Sequence, residues 1–139
     1  VDWSLLVLFT GLFIIIGGAE QSGIAGELLS IAERGNLHQP AIFTLAVTAL
    51  SNVVSNVPAV MLLKGIIPSM GDARFSWMLL AMISTLAGNL TITGSVANII
   101  VVEKARQEAP IGFFRYMRIG VPVTICTMAV GIAWLWLTR

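Results

Sequence analysis

The chain of 139 residues is 57% hydrophobic and only 11% charged, with a net charge of +1 at pH 7. Because soluble domains carry about a quarter charged residues, this composition excludes an ordinary soluble domain and predicts a membrane protein. The small net charge gives no electrostatic reason to expect a nucleic acid partner, and a single cysteine, Cys126, excludes an intramolecular disulfide.

Four stretches of the chain contain no Asp, Glu, Lys or Arg. They cover residues 3–19, 40–63, 75–102 and 119–138. About 20 apolar residues in a helix cross the roughly 30 Å of hydrocarbon in a bilayer. The spacing of these stretches therefore predicts an all-α, polytopic membrane protein.

The first predicted element is a membrane span over residues 1–20, with Trp3 as its interfacial anchor. Residues 22–34 have a different pattern, in which Ile24, Leu28 and Ile31 recur at helical spacing opposite charged residues. This pattern is typical of an amphipathic helix that lies in the membrane interface. Residues 35–36, Gly-Asn, end that helix.

Residues 40–70 form the next predicted element, and a polar motif divides them. Residues 51–58 read Ser-Asn-Val-Val-Ser-Asn-Val-Pro, and Pro58 disfavours helical geometry at the residue before it. We expect helix from Ala41 to about Leu50 and again from about Pro58 to Leu63. Each half is too short to cross a bilayer, so the pattern predicts a re-entrant hairpin.

A second polar motif divides residues 75–106. Residues 88–95 read Gly-Asn-Leu-Thr-Ile-Thr-Gly-Ser, a composition that forms poor helix. We expect helix from Trp77 to Ala87 and from Val96 to about Arg106, so the whole is a discontinuous transmembrane helix. Residues 113–138 are predicted as an uninterrupted last span.

The positions of the Lys and Arg residues predict the orientation of the chain in the membrane. Four of them surround the loop before the last span: Lys104, Arg106, Arg115 and Arg118. Cytoplasmic loops are enriched in Lys and Arg, so this loop is predicted to face the cytoplasm. The hairpin would then open toward the outside of a multi-pass protein in the cytoplasmic (inner) membrane.

The two breaks predict a binding site. Non-helical backbone at membrane depth is tolerated only where it is buried in protein or lines a cavity. Asn56 and Ser95 stand where N-caps would stand, so each restarting helix would direct free N–H groups and a positive dipole end toward an anion. The helix ends near Leu50 and Ala87 would offer carbonyl groups suited to Na⁺. An alternative is that Asn52 and its neighbours simply form hydrogen bonds between ordinary helices.

Residues 50–60 and 87–100, which hold the two motifs, resemble the ion transporter superfamily. The similarity is to the citrate-transporter-like domain of arsenical pump membrane proteins, NhaD-type antiporters and divalent anion/sodium symporters. It covers nearly the whole chain and fits the C-terminal one of two inverted repeats. The resemblance implies that substrate and ion are bound by Ser51, Asn52, Ser55, Asn56, Val57, Thr91, Thr93, Gly94, Ser95 and Asn98. Asn89, within the second motif, is a further candidate for this site.

The resemblance also implies a Na⁺ site near Ser51, Asn52, Thr91 and Gly94, with no other cofactor. The sequence departs from the family pattern at Val57, where a Thr would complete a Ser-Asn-Thr motif, and at residues 94–95, where Gly-Ser replaces a Pro-Thr-Asn stretch. These departures favour the arsenite and general anion branch over the citrate branch.

The resulting hypothesis is half of a secondary active transporter for an inorganic or organic anion. The expected partners are membrane lipid, the N-terminal half of the same transporter, the anion and a second copy of the protein in a homodimer. One alternative is a Na⁺/H⁺ antiporter, although no Asp or Glu lies deep in a span here. Another is a membrane assembly subunit that transports nothing. The sequence contains no nucleophile–base set, so nothing in it indicates an enzyme.

Overall fold

A computed structural model describes residues 3–23, 26–27, 30–31, 34–106, 108 and 110–139. These residues form helices and connecting turns, and no strand occurs among them. The helices are α1 (Trp3–Gln21), α2 (Pro40–Val54), α3 (Asn56–Leu63), α4 (Ala73–Ala87), α5 (Val96–Ala105) and α6 (Phe113–Leu137). A 3₁₀ helix, Lys64–Ser69, continues α3, and a shorter one, Ile92–Gly94, lies between α4 and α5. The all-α prediction is confirmed.

The long helices occupy the predicted positions. Helix α1 has 19 residues, and α6 has 25 residues and is long and apolar enough to cross a membrane. The other apolar helices in the described part of the chain are shorter, with 10–17 residues. The interfacial helix predicted over residues 22–34 includes six residues, 24–25, 28–29 and 32–33, that lie outside the described residues. That helix stays a prediction.

Helices α2, α4 and α6 pack together, and α6 runs antiparallel to α4. The Phe75 ring near the start of α4 meets the Trp136 ring at the end of α6, with centroids 6.2 Å apart. At the other end of α4, Gly120 of α6 lies against the carbonyls that follow the helix, those of Asn89 and Leu90. Helix α2 runs in the direction of α4, since its first residue, Pro40, lines the same cavity as Phe75 and Trp136.

The core between these helices is aliphatic and aromatic. The buried side chains come from α2, the α3 region, α4 and α6, and they are Phe43, Val47, Leu63, Ile66, Ile67, Met70, Phe75, Leu79, Leu80, Ile83, Ala87 and Met128. Fully burying an aliphatic or aromatic side chain of this size is worth about 1.5–3 kcal/mol in water. In lipid the gain comes instead from close packing. This packing holds the two polar motifs at one end of the bundle.

At the opposite end of the bundle, Asp72 is the N-cap of α4. The backbone N–H of Phe75 donates to Asp72 Oδ1 over 3.0 Å, and Arg139 Nε donates to Asp72 Oδ2 over 3.0 Å. The Arg139 guanidinium also lies 5.1 Å from the centre of the Phe75 ring. The hydrogen bond from Phe75, and after it the hydrogen bond and the charge of Arg139, hold the pKa of Asp72 below its ordinary value of 3.8 against the opposing effect of desolvation. The beginning of α4 is thereby tied to the residues that follow α6.

This lowered pKa predicts acid sensitivity at one end of the bundle. Since the folded pKa of Asp72 lies below the value of 3.8 in an unfolded chain, its contribution to stability is present above that pH and is lost as the pH falls through the folded pKa. We expect Asp72→Asn to lower the melting temperature in detergent at pH 7, with a difference from wild type that shrinks below pH 3.8. A difference that stays constant with pH would contradict this role.

Candidate functional site

The break in the first polar motif is one residue long and falls at Ser55. Helix α2 continues to Val54, and α3 begins at Asn56. Ser55 has φ 78° and ψ 163°, a region that is essentially restricted to glycine and costs about 1–3 kcal/mol for other residues. The expected helix end near Leu50 and restart near Pro58 are therefore wrong, and so is the expected N-cap at Asn56, because Ser55 holds that position without a side-chain hydrogen bond.

The reason for this difference lies in how Asn52 and Pro58 are accommodated. Asn52 Nδ2 donates to the Thr48 carbonyl one turn earlier, over 2.9 Å, so this polar side chain fits within a continuing helix. Pro58 is the third residue of α3, and the first turn of a helix has no intrahelical partner for a backbone N–H in any case. A proline there does not delay the helix start.

The second break lies where the sequence predicts it. Helix α4 ends at Ala87, and α5 begins at Val96. Ser95 occupies the N-cap position of α5 with extended backbone but makes no side-chain capping bond. Between the helices the chain forms turns and the short 3₁₀ helix Ile92–Gly94. Whether α4 and α5 together cross the membrane stays a prediction.

Asn52 joins the two breaks. Its Nδ2 donates a second hydrogen bond, over 2.9 Å, to the Ala87 carbonyl, which ends α4. Its Oδ1 accepts a bond from the Thr91 hydroxyl, also 2.9 Å long. The Thr91 hydroxyl lies 3.3 Å from that of Thr93. One carboxamide therefore bonds to the carbonyl that ends α4, which also accepts from the Leu90 N–H, and fixes the turn that follows. Side-chain hydrogen bonds of this kind stabilise a break in a membrane helix.

Two further asparagines surround Gly88, the first residue of the second break. Asn98, in the first turn of α5, donates to the Gly88 carbonyl over 2.7 Å and to the Thr91 carbonyl over 3.4 Å. Asn56, the first residue of α3, places its amide group against Gly88, where a Cβ would lie 3.1 Å from Asn56 Nδ2. The first turns of α3 and α5 thus both lie beside Gly88, which brings two positive helix ends close together.

Oxygen atoms converge at Gly94. A Cβ at this position would lie 2.5 Å from Asn52 Oδ1, 2.9 Å from the Gly88 carbonyl oxygen and 3.2 Å from Thr91 Oγ1. Gly94 is buried, and one carboxamide oxygen, one backbone carbonyl oxygen and one hydroxyl oxygen pack closely around the position that a side chain would take; we call this position the recess at Gly94. Neutral oxygen ligands of this kind suit a hard monovalent cation.

The remaining predicted residues lie around this network. Ser51 is fully buried with an unpartnered hydroxyl, and so is Thr124 of α6, which the sequence did not single out. Val57 is 43% exposed and Asn89 is exposed. Asn89 lines a cavity beside α6 rather than the hydrogen-bond network. The Oδ1 atom of Asn56 is buried and has no partner among the described residues.

Gly120 of α6 is a residue of this region that the sequence analysis missed. A Cβ there would lie 2.7 Å from the Asn89 carbonyl oxygen and 3.2 Å from that of Leu90. The available signal was a glycine inside an apolar span, which is typical of close helix packing in membranes. Gly120 therefore allows α6 to support the backbone of the second break.

We expect Gly120→Ala to destabilise the protein by about 1–3 kcal/mol, as overpacking does, because its Cβ would meet backbone carbonyls that belong to the network. Gly131→Ala is the matched control on the same helix, since its Cβ would meet only the flexible side chain of Met82. Thermal unfolding of the full-length protein in detergent measures both. Equal losses in the two variants would contradict the specific role of Gly120.

Helices interrupted by polar turns, with their ends gathered at one site, are typical of secondary transporters. The chain belongs to the citrate transporter family, whose model matches residues 1–87. It is therefore an integral membrane protein of a transporter family, and the relatives are transporters rather than enzymes.

Individual relatives agree with this assignment. The chain is 39% identical to the transporter arsB of Dictyostelium discoideum over 95% of this chain and 25% of that protein. It is 33% identical to the silicon efflux transporter LSI3 of Oryza sativa over 95% of this chain and 30% of that protein. A 46 kDa membrane protein of Mycobacterium leprae is 30% identical over 99% of this chain and 35% of its own length. The chain thus spans about a quarter to a third of these relatives. No solved structure matches it significantly.

Proposed function

We propose that the chain is the C-terminal repeat of a secondary active transporter that moves a small anion or oxyacid across the cytoplasmic membrane, coupled to Na⁺. The observation that carries this proposal is the meeting of both breaks at Gly88 and Gly94, where Asn52, Asn56 and Asn98 converge. Interhelical hydrogen bonds alone do not require two helix breaks at the same place. A membrane assembly subunit that transports nothing would have no use for two helix breaks at one place.

The recess at Gly94 supports a site for the coupling ion. Asn52, Thr91 and the Gly88 carbonyl provide its three neutral oxygen atoms. Ser51, one residue before Asn52, has a buried hydroxyl without a partner, so it is a further candidate ligand after a small rearrangement. The Na⁺ ion would supply a positive charge beside the substrate, and its gradient would supply the driving force. The chain's own residues hold the ion and shield it from lipid.

The substrate site of the proposal lies at the first turns of α3 and α5. Free N–H groups at helix starts attract anionic oxygen atoms. The buried Asn56 Oδ1 has no donor among the described residues, and the hydroxyl groups of a protonated oxyacid would supply one. One relative is named as a silicon efflux transporter, which agrees with a substrate that carries hydroxyl groups. The N-terminal half of the transporter completes the site in this proposal.

Uptake by the full-length transporter in proteoliposomes tests the proposal. Arsenite, silicic acid, sulfate and a dicarboxylate are offered with an inward Na⁺ gradient, with a proton gradient and with neither. We expect uptake of at least one oxyacid or anion, faster with the Na⁺ gradient. If none of the four substrates moves under any gradient, the transport proposal fails. If transport follows the proton gradient alone, the Na⁺ assignment fails.

A further inference from the structure

A cavity of about 570 Å³ lies between the second break and the first three turns of α6. Its lining is mainly apolar and comprises Asn89, Pro110, Ile111, Arg115, Tyr116, Ile119, Gly120 and Val123. The volume falls within the range of about 300–1,000 Å³ typical of ligand sites. It is separate from the recess at Gly94, which faces α2.

One cationic side chain, Arg115, lines this cavity. Arg115 is the third residue of α6, which places it at the predicted membrane interface. It makes no ion pair with any described residue, since the ion pairs found there involve Arg106 and Arg139. Tyr116, the next residue, also lines this cavity. Tyrosines are enriched at membrane interfaces because one end of the side chain is apolar and the other polar.

We propose that this cavity binds an anionic phospholipid, with the phosphate on Arg115 and Tyr116 and the start of an acyl chain against Ile119 and Val123. The lining combines an apolar wall with one cation that has no ion-pair partner among the described residues, and a phospholipid combines an apolar chain with a charged headgroup. Basic pockets between membrane helices bind acidic headgroups in this way. The predicted orientation places the cavity at the cytoplasmic leaflet, where anionic lipids concentrate.

A second cavity of the bundle lacks this combination. It has a volume of about 630 Å³ and lies between the start of α2, the start of α4 and the end of α6. No charged side chain lines it, so nothing there selects a headgroup. This difference distinguishes the Arg115 cavity from the second cavity. Because Asn89 and Gly120 line that cavity and also contact or belong to the second break, a lipid bound there would touch the backbone that holds the site.

Native mass spectrometry of the full-length transporter, titrated with phosphatidylglycerol, tests this inference. We expect Arg115→Gln to weaken lipid binding about fivefold, the effect of one basic residue near a charged membrane surface. Arg118→Gln is the matched control, with the same change of charge on the same helix but outside the cavity lining. Val123→Trp, which fills the cavity and leaves every charge in place, should weaken binding as well.

Several results would overturn the proposal. If Arg115→Gln and Arg118→Gln weaken binding equally, the attraction is general and no site exists. If Val123→Trp has no effect, the acyl chain does not enter the cavity. Inorganic phosphate at millimolar concentration should not displace the lipid, and displacement would mean that the site binds free phosphate. A photocrosslinker at Ile111 that labels the rest of the transporter rather than lipid would show that protein fills the cavity.

Discussion

Replacing Asn52 with leucine should abolish most transport. The Asn52→Leu change removes three hydrogen bonds, so the Ala87 carbonyl keeps only its bond from the Leu90 N–H and the Thr91 hydroxyl keeps only its contact with Thr93. Each of these hydrogen bonds contributes about 0.5–1.5 kcal/mol. Since 1.4 kcal/mol corresponds to a factor of ten, we expect the initial rate of uptake to fall at least about tenfold.

The measurement is the initial uptake, at equal protein content in proteoliposomes, of whichever substrate the wild type carries. Thr85→Val is a suitable control, because the exposed Thr85 hydroxyl bonds only to the Ala81 carbonyl of its own helix. An Asn52→Leu protein that transports normally, or is more stable than wild type, would favour ordinary interhelical packing and the assembly subunit over the transporter hypothesis.

The second large effect is expected at Gly94. In Gly94→Ala, the added methyl group would occupy the recess, 2.5 Å from Asn52 Oδ1 and 2.9 Å from the Gly88 carbonyl oxygen. Such separations are shorter than van der Waals contact, so either the turn moves or Asn52 gives up its bond to Thr91. Overpacking of this kind costs about 1–3 kcal/mol, and here it acts on the proposed ion ligands themselves.

Gly94→Ala should therefore lower uptake at least about tenfold and raise the Na⁺ concentration needed for half-maximal transport. Gly71→Ala is the control, because no atom lies within 4 Å of its added Cβ. The Na⁺ dependence of uptake distinguishes a role of Gly94 in Na⁺ binding from a role in structure alone. A variant with slower uptake but unchanged Na⁺ dependence would leave Gly94 a purely structural residue and would contradict a Na⁺ site in the recess.

Local composition made much of the fold predictable. The end of α4 at Ala87 and the start of α5 at Val96 agree with the sequence prediction, because glycine, asparagine and threonine are dense between them and each disfavours helix. The long apolar stretch of the last span likewise predicts where α6 begins and ends. At these helix ends the local sequence preference agrees with the structure, and no contact with a distant part of the chain overrides that preference.

The break at Ser55 was less predictable because Pro58 permits several helix starts upstream of itself. The choice among them depends on a distant contact. Asn52 meets the Ala87 carbonyl, 35 residues away in the sequence, and that bond is formed while Asn52 is still helical. The role of Gly120 depends likewise on carbonyls of a different element. The sequence alone therefore predicts which residues belong to the site, but it does not predict which of them contact one another.

The unequal helix lengths have a consequence for biosynthesis. The segments Pro40–Val54, Asn56–Ser69 and Ala73–Ala87 are each shorter than the 18–20 residues that the translocon inserts readily. Helix α6 is long enough, and it is made after them as synthesis proceeds. Its contacts at Trp136, Gly131 and Gly120 run along α4 from its first turn to the break that follows it. The shorter segments are therefore synthesised before α6, the helix that packs along α4. We expect truncation within α6 to expose them to membrane proteases.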